Sequence, residues 1–171
     1  MSRRIFWTAA AVVAVLAMVL PRVLSAPPML VWNASASVPI GLYRVSPVRT
    51  LHVGDIAVIA PPEPLADLLA ARRSLPKGVL LIKPVAALAG QMVCRHRRHI
   101  TIDGMTVGVA LARDHQNRPL PTWHGCHQLG QGDLFAMNPA APDSFDGRYF
   151  GVLPLSSAIG QASPLWLPKE H

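Results

Sequence analysis

Seventeen prolines and twelve glycines are scattered through 171 residues, and this punctuation limits the fold more than any other feature of the chain. Proline removes a backbone donor and clashes inside a helix, and glycine weakens one. A long helical bundle is therefore excluded. Short strands joined by many turns are expected, with enough chain for one domain with a real core. The stretch that escapes the punctuation is residues 5–20, an apolar run of sixteen residues softened only by Thr8.

That run follows a basic head, residues 1–4, and ends at Pro21 and Arg22. A membrane span wants about 20 residues. Residues 23–26 extend the run if Arg22 snorkels to the interface. The basic head then stays in the cytoplasm and everything after it is exported. The rival is a cleaved signal peptide, cut after Leu24-Ser25-Ala26, although Pro27 directly after the cut argues against cleavage. The expected organisation is a head, anchor and linker over 1–28 and one exported domain over 29–171. Trp7 and Trp32 would mark the two interfaces.

The net charge is +7. No nucleic-acid motif accompanies it and aromatic residues are few, so the charge reads as a solvated face near membrane lipid, with no nucleic-acid partner. Two cysteines occur, Cys94 and Cys126. In an oxidising compartment they pair; the alternative is two separate buried thiols. Residues 95–98 hold three arginines and read as a solvated hairpin, with lipid headgroups or a partner as the other reading.

Strands are expected at 29–32, 41–45, 53–60, 79–88, 91–96, 99–103, 105–109, 132–137, 149–153 and 159–167. Asp103-Gly104 marks a hairpin turn. One short amphipathic helix is expected over 64–73, with Leu65, Leu68 and Leu69 on one face. Residues 113–120 and 138–148 read as loops.

Lys83 is the oddest residue. It lies inside an apolar strand, between Leu80-Leu81-Ile82 and Pro84-Val85. Lysine is rarely buried, and a desolvated lysine loses its proton near neutral pH and becomes a base. An edge lysine guarding a strand end is the plainer reading. Upstream, residues 33–43 pack two serines, a proline and a glycine into a tight turn. Alone this is a surface loop whose serines bond their own backbone. A serine beside a neutral lysine is instead a nucleophile with its base.

Three blocks give this pairing a family. Residues 35–43, Ser-Ala-Ser-Val-Pro-Ile-Gly-Leu-Tyr, resemble the nucleophile block of the type I signal peptidase superfamily, the membrane-anchored Ser/Lys peptidases of family S26. Residues 81–90, Leu-Ile-Lys-Pro-Val-Ala-Ala-Leu-Ala-Gly, resemble its lysine block. Asn138 and residues 143–151, Asp-Ser-Phe-Asp-Gly-Arg-Tyr-Phe-Gly, resemble its C-terminal block. The chain is most similar to the conjugative-transfer, TraF-type branch. Two departures stand out. Ala136-Met137-Asn138 replaces the usual Gly-Asp-Asn, and Gly147 replaces a serine common in housekeeping enzymes. Both, with the Pro39 context, favour a dedicated maturase.

The resemblance implies a mostly β domain of coiled antiparallel sheets with one N-terminal transmembrane helix, set in the inner membrane and facing the periplasm. A soluble periplasmic form after cleavage near Ala26 is the alternative. It implies Ser37 as nucleophile, Lys83 as general base, and Ser35 with the Ser37 N–H as oxyanion donors. Ser144 would hold the lysine amine, and Asp146 and Arg148 would form a bracing ion pair. No cofactor is implied. The substrate would be an exported precursor with small residues before the cut, a pilin of a conjugative type IV secretion system, with cyclisation as one outcome. A zinc site built from His96, His99, His124, His127 and the cysteines is weaker, because the ligand spacings are not standard and Arg95, Arg97 and Arg98 repel a dication. A non-catalytic envelope scaffold keeps the fold without needing Lys83. A self-cleaving regulator is disfavoured by the N-terminal span and the lack of a DNA-binding helical module.

Overall fold

The computed structural model describes residues 3–23 and 29–168. The segment 24–28, with the rival cleavage site and the expected linker, lies outside the described residues. The apolar run forms helix α1 (Arg3–Val23), in which alanine and leucine favour the helix and no glycine interrupts it. Among the described residues no helix is long and apolar enough to cross a membrane, so the expected transmembrane anchor is not supported. The helix is 21 residues long and carries Arg3 and Arg4 in its first turn.

Beyond α1 the chain is mostly β and antiparallel, as expected. One sheet has seven strands in the order β1 (Leu30–Asn33), β2 (Gly41–Ser46), β11 (Ala158–Trp166), β3 (Ile56–Ile59), β4 (Leu81–Ala87), β9 (Asp133–Ala136) and β10 (Leu153–Pro154). A second has four, in the order β7 (Met105–Val109), β6 (His99–Ile102), β5 (Met92–His96) and β8 (Gly125–Gln128). The β6–β7 turn carries Asp103 and Gly104, both at positive φ, as an Asp-Gly hairpin turn requires.

The central strands are buried on both faces, which is why they read as unbroken apolar runs rather than alternating ones. In β3, Ala57 and Ile59 enter one core cluster while Val58 enters another. In β4, Leu81 and Val85 join the first and Ile82 the second. Strand β9 does the same between the first cluster (Leu134, Ala136) and that of the small sheet (Phe135). Helix α2 (Glu63–Ala71) buries Leu65 and Leu69 against the first cluster, close to the expected 64–73. The loop after it is tied down. Asp114 accepts from Arg72 Nη2 at 2.9 Å and from Arg118 Nε at 2.7 Å.

Two expectations need correction. The strand expected at 149–153 is a helical turn, α3 (Gly147–Phe150), followed by the two residues of β10. Asp146 caps the turn by accepting from the Arg148 N–H at 3.1 Å, and its carbonyl accepts from the Tyr149 N–H at 2.8 Å. An aspartate cap outweighs the β propensity of the aromatic residues that follow. Strand β8 was not expected at all. It lies fully exposed at the edge of the small sheet and has no apolar alternation to betray it.

Candidate active site

The serine turn joins β1 to β2, and a single side chain shapes it. Buried Asn33 donates through Nδ2 to the carbonyls of Ser35 (2.7 Å), Val38 (2.9 Å) and Pro39 (3.1 Å). Its Oδ1 accepts from the Ser35 N–H at 3.2 Å and from Ser35 Oγ at 3.0 Å. The Tyr43 hydroxyl adds a bond to the Pro39 carbonyl at 2.7 Å. Gly41 closes the turn at a φ of 155°, where an added Cβ would lie 2.4 Å from the Trp166 carbonyl oxygen. Sequence reading missed Asn33; its signal was an asparagine two residues before Ser35, the spacing of an Asx turn.

Strand β4 brings Lys83 to this turn. The residue is 3% exposed. Its Nζ lies 2.6 Å from Ser37 Oγ and 2.8 Å from Ser144 Oγ. Ser35 Oγ, whose hydrogen goes to Asn33, lies 3.2 Å from Ser37 Oγ. As an ammonium Lys83 donates to both serines. As an amine it has a lone pair that can accept the Ser37 hydroxyl hydrogen. Burial brings the lysine pKa down from 10.5 to about 8; Asp146 opposes the fall and Arg148 assists it. The neutral amine is therefore a minority form at pH 7, about a tenth of the population, but far more than an ordinary lysine offers.

Asp146 and Arg148 form a buried bidentate pair, with Arg148 Nε to Asp146 Oδ1 at 2.9 Å and Nη2 to Oδ2 at 2.8 Å. Arg148 also donates to the carbonyls of Asn138 (2.9 Å) and Pro142 (3.1 Å). Asn138 in turn donates through Nδ2 to the Ser37 carbonyl at 2.7 Å. The ion pair, the loop 138–146 and the serine turn are thus one hydrogen-bonded unit. The three sequence blocks meet here, and Ser35, Ser37, Lys83, Ser144, Asp146 and Arg148 all belong to it. Gly147 has no room for a side chain, since a Cβ would lie 2.8 Å from the Ala136 carbonyl oxygen.

A cleft of ≈ 880 Å³ opens over these residues. Its walls come from 31–37, 79–83 and 140–145, together with Leu69, Ser74 and Leu75. Strand β4 pairs with β9 from Val85 onward, so residues 81–83 pair only with β3. Their other backbone edge borders the cleft.

Cys94 and Cys126 are bridged, and they lie opposite each other on β5 and β8. The ligand atoms of Cys94, His96 and Cys126 cluster within 4.8 Å, but both sulfurs are spent in the disulfide and offer no thiolate to a metal. Arg95 departs from the solvated-hairpin reading. It is 2% exposed and points inward, whereas Arg97 and Arg98 are exposed.

A family model described as "Signal peptidase, peptidase S26" matches residues 4–167. The chain belongs to the S26 signal peptidase family. S26 membership makes it a peptidase and its substrate a peptide. Among curated proteins it is 35% identical over 140 residues to a probable conjugal transfer protein TraF of Sinorhizobium fredii, covering 76% of this chain and 73% of that one. It is 33% identical over 144 residues to the conjugal transfer protein TraF of Agrobacterium fabrum, covering 78% and 80%. The plasmid transfer protein TraF of Escherichia coli is 27% identical over 143 residues, covering 78% and 80%. This S26 chain is therefore TraF-like within its family. A crystal structure of a signal peptidase I from Enterococcus faecalis superposes with a TM-score of 0.38 at 18% identity, over 66% of this chain and 97% of that one.

Proposed function

We propose that the protein is a Ser/Lys endopeptidase that matures an exported precursor in a conjugative transfer system. The observation that carries this reading is the 2.6 Å approach of the buried Lys83 amine to Ser37 Oγ. Neutral Lys83 takes the hydroxyl proton as Ser37 Oγ attacks the scissile carbonyl. Ser144 holds the amine in place from its other side. The oxyanion that forms is met by the Ser37 N–H and the Ser35 hydroxyl, and losing such a donor costs on the order of 10²–10³ in rate. The lysine then gives its proton to the leaving amine, and an acyl-enzyme remains on Ser37. Water, activated by the same amine, releases a linear product. If the substrate's own N-terminal amine attacks instead, an amide forms, Ser37 is freed and the product is cyclic.

The substrate lies extended along the open backbone edge of residues 81–83, which supports a strand-like peptide. Similarity to the TraF proteins favours a pilin precursor of a type IV secretion system. It also favours an envelope location, with residues 29–171 as the catalytic domain on the periplasmic side of the inner membrane. Two observations support membrane contact. Helix α1 exposes Ile5, Phe6, Trp7, Val12, Val13, Val15 and Leu16. At the rim of the cleft Trp32 and Trp166 are also exposed, with ring centroids 5.9 Å apart. Tryptophan at such a rim suits a membrane interface.

The test is mass spectrometry of a co-expressed candidate pilin precursor. Wild type is expected to give the mature product, and Ser37→Ala and Lys83→Ala to leave the precursor intact. A product lighter by one water than the linear peptide identifies cyclisation. Normal processing by both variants would overturn the peptidase reading and favour a scaffold.

A further inference from the structure

We propose that Arg95 is a positioning residue for this reaction, holding the α3 turn that carries Asp146 and Arg148 from the small sheet. The inference rests on the Ser/Lys reading above. Arg95 sits on β5, next to the bridged Cys94, and is almost fully buried. Among the described residues no carboxylate forms an ion pair with it. Its guanidinium instead donates to three main-chain carbonyls: Arg97 at 3.1 Å, Pro121 at 3.4 Å, and Arg148. A buried cation satisfied only by backbone dipoles is an expensive way to fill a core, and a methionine would fill it without desolvating a charge. What the arginine adds is a directed, charge-assisted bond to one carbonyl of the catalytic turn.

The neighbouring bonds point the same way. Trp123, just before β8, donates through Nε1 to the Gly147 carbonyl at 2.9 Å. The Tyr149 hydroxyl accepts from the Leu111 N–H at 3.0 Å. Three successive residues of the turn are therefore held by the segment 95–123. On the site side, the same turn presents the Asp146–Arg148 pair, which anchors the Asn138 carbonyl. Asn138 holds the Ser37 carbonyl, and Ser144, two residues before Asp146, holds Lys83 Nζ. Arg95 touches no reacting atom; it fixes the backbone on which these contacts depend. Displacing such a group by about 1 Å can cost 10²-fold in rate.

The test compares full-length wild type, Arg95→Met, Arg95→Lys and Trp123→Phe, each assayed well below its melting temperature with a reagent that acylates Ser37 and with the precursor peptide. Arg95→Met is expected to lose about 10²-fold in kcat at unchanged KM. Arg95→Lys, which keeps a charged donor, is expected to recover part of the loss. Trp123→Phe, which removes one neutral bond, is expected to lose about tenfold. Amide exchange at residues 148–151 is expected to accelerate in Arg95→Met while β3 and β11 stay protected. Parental kcat in Arg95→Met and Trp123→Phe, with unchanged exchange at the turn, would overturn the proposal. Full activity in Ser37→Ala and Lys83→Ala would instead sink the Ser/Lys reading, and the exchange result would still decide whether Arg95 holds the turn.

Discussion

At neutral pH Lys83 works against the fold that holds it. Its pKa falls from 10.5 unfolded to about 8 when buried, so between those values the unfolded chain binds more protons than the folded one. Stability linked to this group therefore rises with pH from about 8 to 10.5, and the penalty is fully present below 8. Lys83→Met is expected to be inactive yet more stable at pH 7 by about 1–3 kcal/mol, with the gap closing toward pH 10.5. Denaturant melts of both proteins across that range check it. Asn33 has the opposite balance. Its side chain satisfies three carbonyls of the serine turn, and Asn33→Ala leaves them without it. A loss of about 1–3 kcal/mol is expected, with a larger loss of activity than of stability. Calorimetry beside an acylation assay separates the two effects.

At the scale of elements, the disulfide joins β5 to the exposed edge strand β8 across 32 residues of chain. Removing it by Cys94→Ser with Cys126→Ser is expected to lower stability by about 2–4 kcal/mol, read from urea melts with and without reductant. The same elements mark where the sequence was legible. Strands β2, β4, β6, β7, β9 and β11 were readable because apolar runs bounded by glycine and proline name a strand whatever its partners. Helix α2 was readable from its leucine spacing. Strand β8 was not, because Gly-Cys-His-Gln carries no periodic signal and the strand exists only through its pairing with β5. The α3 turn was not, because one capping aspartate overrides the aromatic residues after it. In the site, Ser35, Ser37, Lys83, Ser144, Asp146 and Arg148 were legible through family-like blocks. Asn33 and Arg95 lie outside those blocks, and Arg95 stood in a run of basic residues that reads as solvated. Only tertiary packing separates it from Arg97 and Arg98.

At the scale of the whole molecule, two apolar surfaces ask for one environment. Helix α1 and the Trp32–Trp166 rim are both exposed in the isolated chain. The full-length protein is expected in the membrane fraction of cells, and recovery entirely in the soluble fraction would contradict the proposed envelope location. The central claim is that Lys83 activates Ser37. It is tested most directly by the pH dependence of Ser37 acylation, followed by intact-mass and peptide mass spectrometry. The account predicts a single label on Ser37. Its rate should rise with pH, level off above about 8 as the amine becomes neutral, and vanish in Lys83→Met. A label on another residue, or an undiminished rate in Lys83→Met, would contradict it.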